Sequence, residues 1–357
     1  MLIFDAHLDM AWNAVNWNRD LMAPLAERRA YEAETDMTHL GESTVSWPEL
    51  QRGKVGIVIA TLLPRVPMQH HRNAQLSFYH SREAAYAACY GQLSYYHAME
   101  QRGVISSIGD RDELDEHLAN WEEDDSGSHP IGYILSMEGS WGVLNPDMIE
   151  EWYYAGLRIL GPAHYGEDYY CHGTGSKGGL KEEGPALLKK MDEVGMLLDV
   201  THLADQSFWE ALDIFEGRVL ASHHNSRTLV PGDRQLDDKQ IQTLVERGAV
   251  IGASFDCWMV KKDWKIGVSD PKTASIEDVA NHTDYICQLV GSAKHCGIGS
   301  DLDGGFGKAS TPHDLDTIAD LQKFAEILDR KGYSQNDIEG IMYKNFVNFF
   351  RDTWDEE

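Results

Sequence analysis

The chain has 357 residues, 42% of them apolar, and its 31 Lys and Arg stand against 58 Asp and Glu, a formal charge of −27. So acidic a surface repels phosphate backbones and anionic lipid, so neither nucleic acid nor a membrane surface is an expected partner. No run approaches the ~20 apolar residues that cross a bilayer. Leu2-Ile-Phe4 leads into the first predicted strand without a basic segment ahead of it, so a cytoplasmic protein without a cleaved leader is expected. Five cysteines at irregular spacing, without Cys-x-x-Cys, read as free thiols rather than a disulfide framework or thiolate zinc knuckle.

Short apolar runs predict strands over residues 2–9, 55–63, 132–139, 157–164, 196–202, 219–225, 249–255 and 297–303. Most are continuously apolar rather than alternating, as suits parallel strands covered by helices. Helical patterns fall between and after them, over 74–102, 112–122, 184–194, 205–216, 237–247, 276–290, 315–330 and 335–350. Thr201–Asp205 and Ser275 offer N-cap chemistry to two of these helices. Eight strands alternating with helices predict a (β/α)8 TIM barrel, with its active site at the C-terminal strand ends. Residues 1–357 are expected to form one domain. The long stretch 10–54, rich in Trp, Asn and Glu, predicts an elaborated wall of that site.

Five of the eight predicted strands finish in a residue type that binds metal. In Asp5-Ala-His-Leu-Asp9, His7 and Asp9 are two apart, so both reach one side of a strand while Leu8 faces the other. Glu138 ends the third strand and is followed by Gly139, and its two carboxylate oxygens can bridge two cations. His202 and His223 end two later strands and offer neutral imidazoles. Two sets of three, His7, Asp9 and Glu138, and Glu138, His202 and His223, leave room for a shared water. Asp301, in Gly299-Ser-Asp-Leu-Asp-Gly304, is placed to take its proton. Asp303, two residues on, faces the same side of an extended strand and stands as the alternative, but it lies beyond the strand end and is expected rather to orient the loop. A strand-end His alone is ordinarily a satisfied core or surface residue, and ten of the 16 histidines, His70, His71, His80, His97, His117, His129, His172, His282, His295 and His313, are read that way. The joint placement carries the metal reading.

With these residues assembled, the chain resembles the renal, or membrane, dipeptidase family of metallopeptidases within the amidohydrolase-type barrels. The resemblance rests on Asp5-Ala-His-Leu-Asp9, Met137-Glu-Gly139, Ala163-His164, Asp199-Val-Thr-His202, Ser222-His223, Gly299-Ser-Asp-Leu-Asp-Gly304 and Asn345-Phe346, which span nearly the whole chain in the family's order. It implies two zinc ions bridged by Glu138, His164 on the scissile carbonyl, Asp301 as proton shuttle and Arg234 on the free carboxylate of a dipeptide, with tolerance for a D-residue on the C-terminal side. Arg234 lies eleven residues beyond His223, the spacing the resemblance implies. From the residues alone, Arg227 is nearer and offers the same bidentate fork. The sequence departs from the family at Leu8-Asp-Met10, at Tyr165-Gly-Glu-Asp-Tyr-Tyr170 and at His224-Asn225. None removes a ligand, but the last two alter the pocket wall. The competing readings are an amidohydrolase of N-acyl amino acids or other small amides and a metal-free barrel acting as a binding partner. A metal-dependent DNase is disfavoured, because that class opens with His-x-His where this chain has Asp9. A homo-oligomer is compatible with the sequence.

Overall fold

The computed structural model describes residues 1–34, 41–65, 79–123 and 129–355. Among these residues nine strands form one sheet: β1 (Ile3–Leu8), β2 (Val55–Leu62), β3 (Ile105–Ser107), β4 (Ile131–Glu138), β5 (Leu157–Gly161), β6 (Leu197–Asp199), β7 (Val219–Leu220), β8 (Ile251–Ala253) and β9 (Cys296–Ile298). Eight run β7-β6-β5-β4-β2-β1-β9-β8, all pairings being parallel. A parallel bridge between Ala221 and Ile251 joins the two ends, so the sheet is a nearly closed barrel with helices outside. The eight barrel strands are those the apolar runs predict. β3 is an addition: three residues, two of them exposed serines, pair with Ile131–Tyr133 at the start of β4, while β5 takes the later half of β4.

Strand ends are shorter than the apolar runs suggest. His202, His223 and Asp301 lie beyond the last residues of β6, β7 and β9, in loops rather than in strands. Tight closure at β8 depends on Gly252, whose N–H donates to the Ala221 carbonyl at 2.8 Å. A β-carbon there would sit 2.0 Å from the Ser222 carbonyl oxygen.

Among the helices, Gly184–Glu193, Asp238–Glu246 and Ile276–Val290 match the periodicity, as does Arg111–Glu123. Four expectations need correction. The helix predicted over 74–102 begins at Arg82, where the Ser81 hydroxyl accepts from the Ala84 N–H; residues 74–78 lie outside the described residues, as do His70 and His71. Thr201 caps no helix, because Asp205–Ile214 starts after Ala204 without a side-chain cap. The helix predicted over 315–330 is a 3-10 turn, Ile318–Leu321, running into Gln322–Arg330. That over 335–350 is interrupted by a π-helical turn at Gly340–Lys344 before Asn345–Trp354.

The described residues of the stretch 10–54 contain three helices, Met10–Asn16, Leu25–Glu34 and Trp47–Arg52, and fold back onto the β9 loop. The buried Asp303 carboxylate accepts from the Thr44 N–H (2.8 Å), the Thr44 hydroxyl (2.7 Å) and the Val45 N–H (3.0 Å). Asn13 Nδ2 donates to both the Asp9 and Asp303 carbonyls at 3.0 Å, and Arg19 links Asn13 Oδ1 (2.8 Å) to Glu32 (2.9 Å).

The inward layer at the other end of the barrel is apolar. Phe4, Ile57, Ile59, Ile134, Ile159, Leu197, Leu220 and Val250 pack with Phe346 and Phe350, whose rings lie 5.1 and 5.7 Å from Phe4. The terminal helix therefore plugs the N-terminal mouth and leaves chemistry to the C-terminal rim.

Asp303→Asn keeps a side chain that tolerates the left-handed backbone of residue 303 (φ 60°) but turns an NH2 toward donors. The expected cost is about 1–3 kcal/mol of stability, read as a lower urea midpoint. An unchanged midpoint would mean that these bonds do not hold the 10–54 stretch to the barrel.

Candidate active site

β1 and β4 aim the first two groups. Between Asp5 and Leu8, β1 advances three residues while β2 advances two, from Val58 to Ala60. This bulge lets Phe4 and Ala6 join the inward apolar layer and still turns His7 inward beside Glu138. Glu138 is the last residue of β4, in line with Ile134 and Ser136. Gly139 follows at φ 80°, a left-handed turn suited to glycine.

The Glu138 carboxylate sits at the centre. Its Oε1 is 3.2 Å from His202 Nε2 and 3.4 Å from His223 Nε2. Its Oε2 is 3.6 Å from His7 Nε2 and 3.9 Å from His164 Nε2. His7 Nε2 is also 3.8 Å from both Asp9 Oδ1 and Asp301 Oδ1. Three overlapping groups could each hold a cation: His7, Glu138 and His223; Glu138, His164 and His202; and His7, Asp9 and Asp301. All the expected ligands are thus brought together, and His164, expected only on the carbonyl, enters one of the sets.

Neighbouring hydroxyls orient the imidazoles. Thr174 Oγ1 lies 3.1 Å from His202 Nδ1 and Ser222 Oγ 2.8 Å from His223 Nδ1, leaving each Nε2 toward Glu138; Thr61 donates to Asp9. Sequence reasoning missed these hydroxyls, and Ser222, adjacent to His223, carried the only local signal. His202 (φ 68°) and Asp301 (φ 58°) adopt left-handed backbone, which costs on the order of 1 kcal/mol each and is held by the surrounding packing.

The electrostatics are those of a cation site. Burial raises Glu138 to about 7, with Asp9 adding to the shift and His7 opposing it. Burial also lifts Asp301 well above the carboxylate range, again with Asp9 and Glu138 adding. His7 loses to burial but gains more from Glu138, Asp9 and Asp301, and is pushed up to about 10. Burial, then Arg234 and the neighbouring histidines, hold His202 well below its ordinary value. His223 is held down by burial, then His7 and Arg234, so both imidazoles stay neutral. His7 Nε2 and Glu138 Oε1 are buried without a hydrogen-bond partner. An imidazole and carboxylate donor set with orphaned, converging atoms fits a divalent metal.

The alternatives separate on geometry. Asp303 turns away to Thr44 and Val45, so the shared face expected for residues 301 and 303 fails: both lie past β9 in left-handed loop backbone, where strand alternation does not apply. Arg227 forms a two-bond pair with Asp205 at 2.9 and 2.6 Å. Arg234 is 1% exposed, with Nε and Nη1 lacking hydrogen-bond partners, and interacts electrostatically with Glu138, Asp301, Asp256 and Tyr165. The Tyr165 ring packs against His164 and His202, with centroids 4.9 and 4.8 Å apart. Arg65 and Asp256, at the ends of β2 and β8, were not singled out from the sequence; their position just past a barrel strand was the available signal.

A parallel barrel with buried carboxylates and imidazoles converging at its C-terminal rim is the architecture of a metal-dependent hydrolase. The family model for membrane dipeptidases, peptidase family M19, matches residues 1–356, and the chain belongs to that family and is a metallodipeptidase. Dipeptidase verJ of Clonostachys rogersoniana is 25% identical over 355 residues, 97% of this chain and 82% of its own length. Dipeptidase tcpJ of Claviceps purpurea is 27% identical over 207 residues, 56% of this chain and 45% of its own. The fold is shared with the dipeptidase AC, a metallopeptidase (19% identity, 99% of both chains, TM-score 0.81). It is shared too with a Rhodobacter sphaeroides metallopeptidase bound to a phosphinate mimic of L-Ala-D-Ala (21% identity, 99% of both chains, TM-score 0.80). Among the described residues no helix is long and apolar enough to cross a membrane.

Proposed function

We propose that the chain is a binuclear zinc dipeptidase that cleaves the amide bond of small dipeptides and accepts a D-residue at the C-terminal position. The observation that carries this reading is the Glu138 carboxylate, whose two oxygens face different imidazole sets beside the buried Arg234 guanidinium. His7, Asp9 and Glu138 would hold one ion, and Glu138, His202 and His223 the other. Bound zinc would supply Lewis acidity toward the carbonyl and toward an attacking water. Asp301, at the rim between these sets, accepts the water's proton and returns it to the leaving amine. His164 is held neutral by burial and by the Arg65 and Arg234 charges, and donates a hydrogen bond to the developing oxyanion. Arg234 grips the substrate's free carboxylate and so fixes which bond lies at Glu138. The Rhodobacter sphaeroides relative's phosphinate ligand supports the D-residue. Five free thiols support a reducing, cytoplasmic setting.

Metal analysis of reconstituted protein should give about two zinc ions per chain, and Glu138→Gln should lower occupancy of both sites. Loss of one ion with the other at full affinity would make Glu138 a terminal ligand. Asp301→Asn should keep the metal and slow turnover by on the order of 10²-fold or more, measured as kcat at saturating dipeptide. A smaller loss would move the proton role elsewhere. Arg234→Ala leaves a substrate carboxylate buried and unpaired, at a cost of roughly 2–5 kcal/mol. It should cut kcat/KM for dipeptides by roughly 30- to 4000-fold, and far less for C-terminally amidated dipeptides. Equal hydrolysis of free and amidated substrates would instead favour a general small-amide hydrolase.

A further inference from the structure

Tyr165 follows His164 directly, and its backbone is clamped to the segment that carries Thr174. The Gly166 N–H donates to the Thr174 carbonyl (2.8 Å), the Thr174 N–H to the His164 carbonyl (3.1 Å) and the Gly173 N–H to the Gly166 carbonyl (2.7 Å). Gly173 permits this close approach, because a β-carbon there would sit 2.0 Å from the His164 carbonyl oxygen. Thr174 also carries the hydroxyl beside His202 Nδ1, so one frame sets both the tyrosine and that imidazole.

The tyrosine ring stands edge-on to both imidazoles, at 89° to His164 and 67° to His202. Those imidazoles have their centroids 4.5 Å apart, and both face Glu138. Burial pushes the phenol up to about 12, with Arg234 opposing and Asp256 and Asp301 adding, so the hydroxyl end lies among these three groups. One half-buried side chain thus reaches from the imidazole beside Glu138 to the guanidinium.

In a dipeptide, the nitrogen and α-carbon of the C-terminal residue are all that separate the scissile carbonyl from the free carboxylate. A substrate that gives its carbonyl to Glu138 and His164 and its carboxylate to Arg234 must lay that α-carbon along the tyrosine, which spans the same interval. The side chain on the α-carbon then competes with the ring for space. A ring packed on two imidazoles and carried by a clamped backbone resists displacement.

We propose that Tyr165 is the specificity-determining wall of the subsite for the C-terminal residue and restricts that residue to glycine or alanine. The assignment rests on the reading that Arg234 takes the C-terminal carboxylate. The ring, rather than the hydroxyl, excludes larger side chains.

The test uses the zinc-reconstituted chain and its Tyr165→Phe and Tyr165→Ala variants. Substrates are Ala-Gly, Ala-Ala, Ala-Leu and Ala-Phe, with the second residue in L or D form, and Leu-Ala, which carries its bulk at the N-terminal position. Each ratio compares two substrates on one preparation, so a change in zinc content leaves it unaffected. In the configuration that wild type cleaves faster, Ala-Ala should exceed Ala-Leu by about 10-fold or more in kcat/KM, the scale of a few methylenes that a pocket must reject. Tyr165→Phe should keep that ratio. Tyr165→Ala should bring it toward unity and leave the ratio of Ala-Ala to Leu-Ala as it was; should this variant not fold, Tyr165→Val carries the same expectation. A wild-type ratio near or below one overturns the assignment, as does a ratio that survives Tyr165→Ala or one already lost in Tyr165→Phe. If no dipeptide is cleaved, Ala-Gly and Ala-Ala included, the dipeptidase reading fails by itself. The subsite is then read from thermal shifts: greater stabilisation by Ala-Ala than by Ala-Phe in wild type but not in Tyr165→Ala supports it, and equal shifts overturn it.

Discussion

Buried Asp9 and Glu138 and half-buried Asp301 each bring a carboxylate within 4 Å of His7 Nε2, and their mutual repulsion is the constraint around which this molecule is organised. Three such charges taken out of water cost far more than a domain's net stability unless positive charge accompanies them. His7 and Arg234 supply part of it, which is why Glu138 and Asp301 still sit above the ordinary carboxylate range. The remainder is the work suited to divalent cations. The orphaned atoms on His7 and Glu138 show where that charge would enter.

Holding the groups apart at ligand distance requires a scaffold that does not relax. The apolar layer from Phe4 to Val250, plugged by Phe346 and Phe350, closes the barrel below the site. Above it, the bulge in β1 and the left-handed residues at His202 and Asp301 aim side chains in directions that regular strand backbone would not. Asp303 and Asn13 tie the loop carrying Asp301 to the 10–54 stretch, so the cluster is supported from that side as well. Local strain is tolerable because many hydrogen bonds fix each loop.

The rim divides charge by position. Carboxylates and imidazoles occupy the centre, while Arg65 follows the end of β2 and Arg234 comes from the loop after β7. His164 feels both guanidinium groups and burial, and is kept neutral as a hydrogen-bond donor rather than a cation.

The eight barrel strands, most outer helices and the cluster of metal-type side chains from His7 to Asp301 could be read from the sequence, because continuous apolar runs and ligand types at their ends are local signals. Family motifs distributed from Asp5 to Asn345 made the class of chemistry readable too. What tertiary structure alone decided is direction. The sequence left Asp303 as an alternative to Asp301, better suited to orienting its loop, and Arg227 on a par with Arg234; the structure turns Asp303 to Thr44 and Val45, pairs Arg227 with Asp205, and buries Arg234 beside the cluster. β3, the bulge in β1 and the hydroxyls on His202 and His223 leave no periodic trace. Apolar spacing reports which residues leave water, whereas backbone torsions past the strand ends and contacts between residues hundreds of positions apart decide where each buried group points.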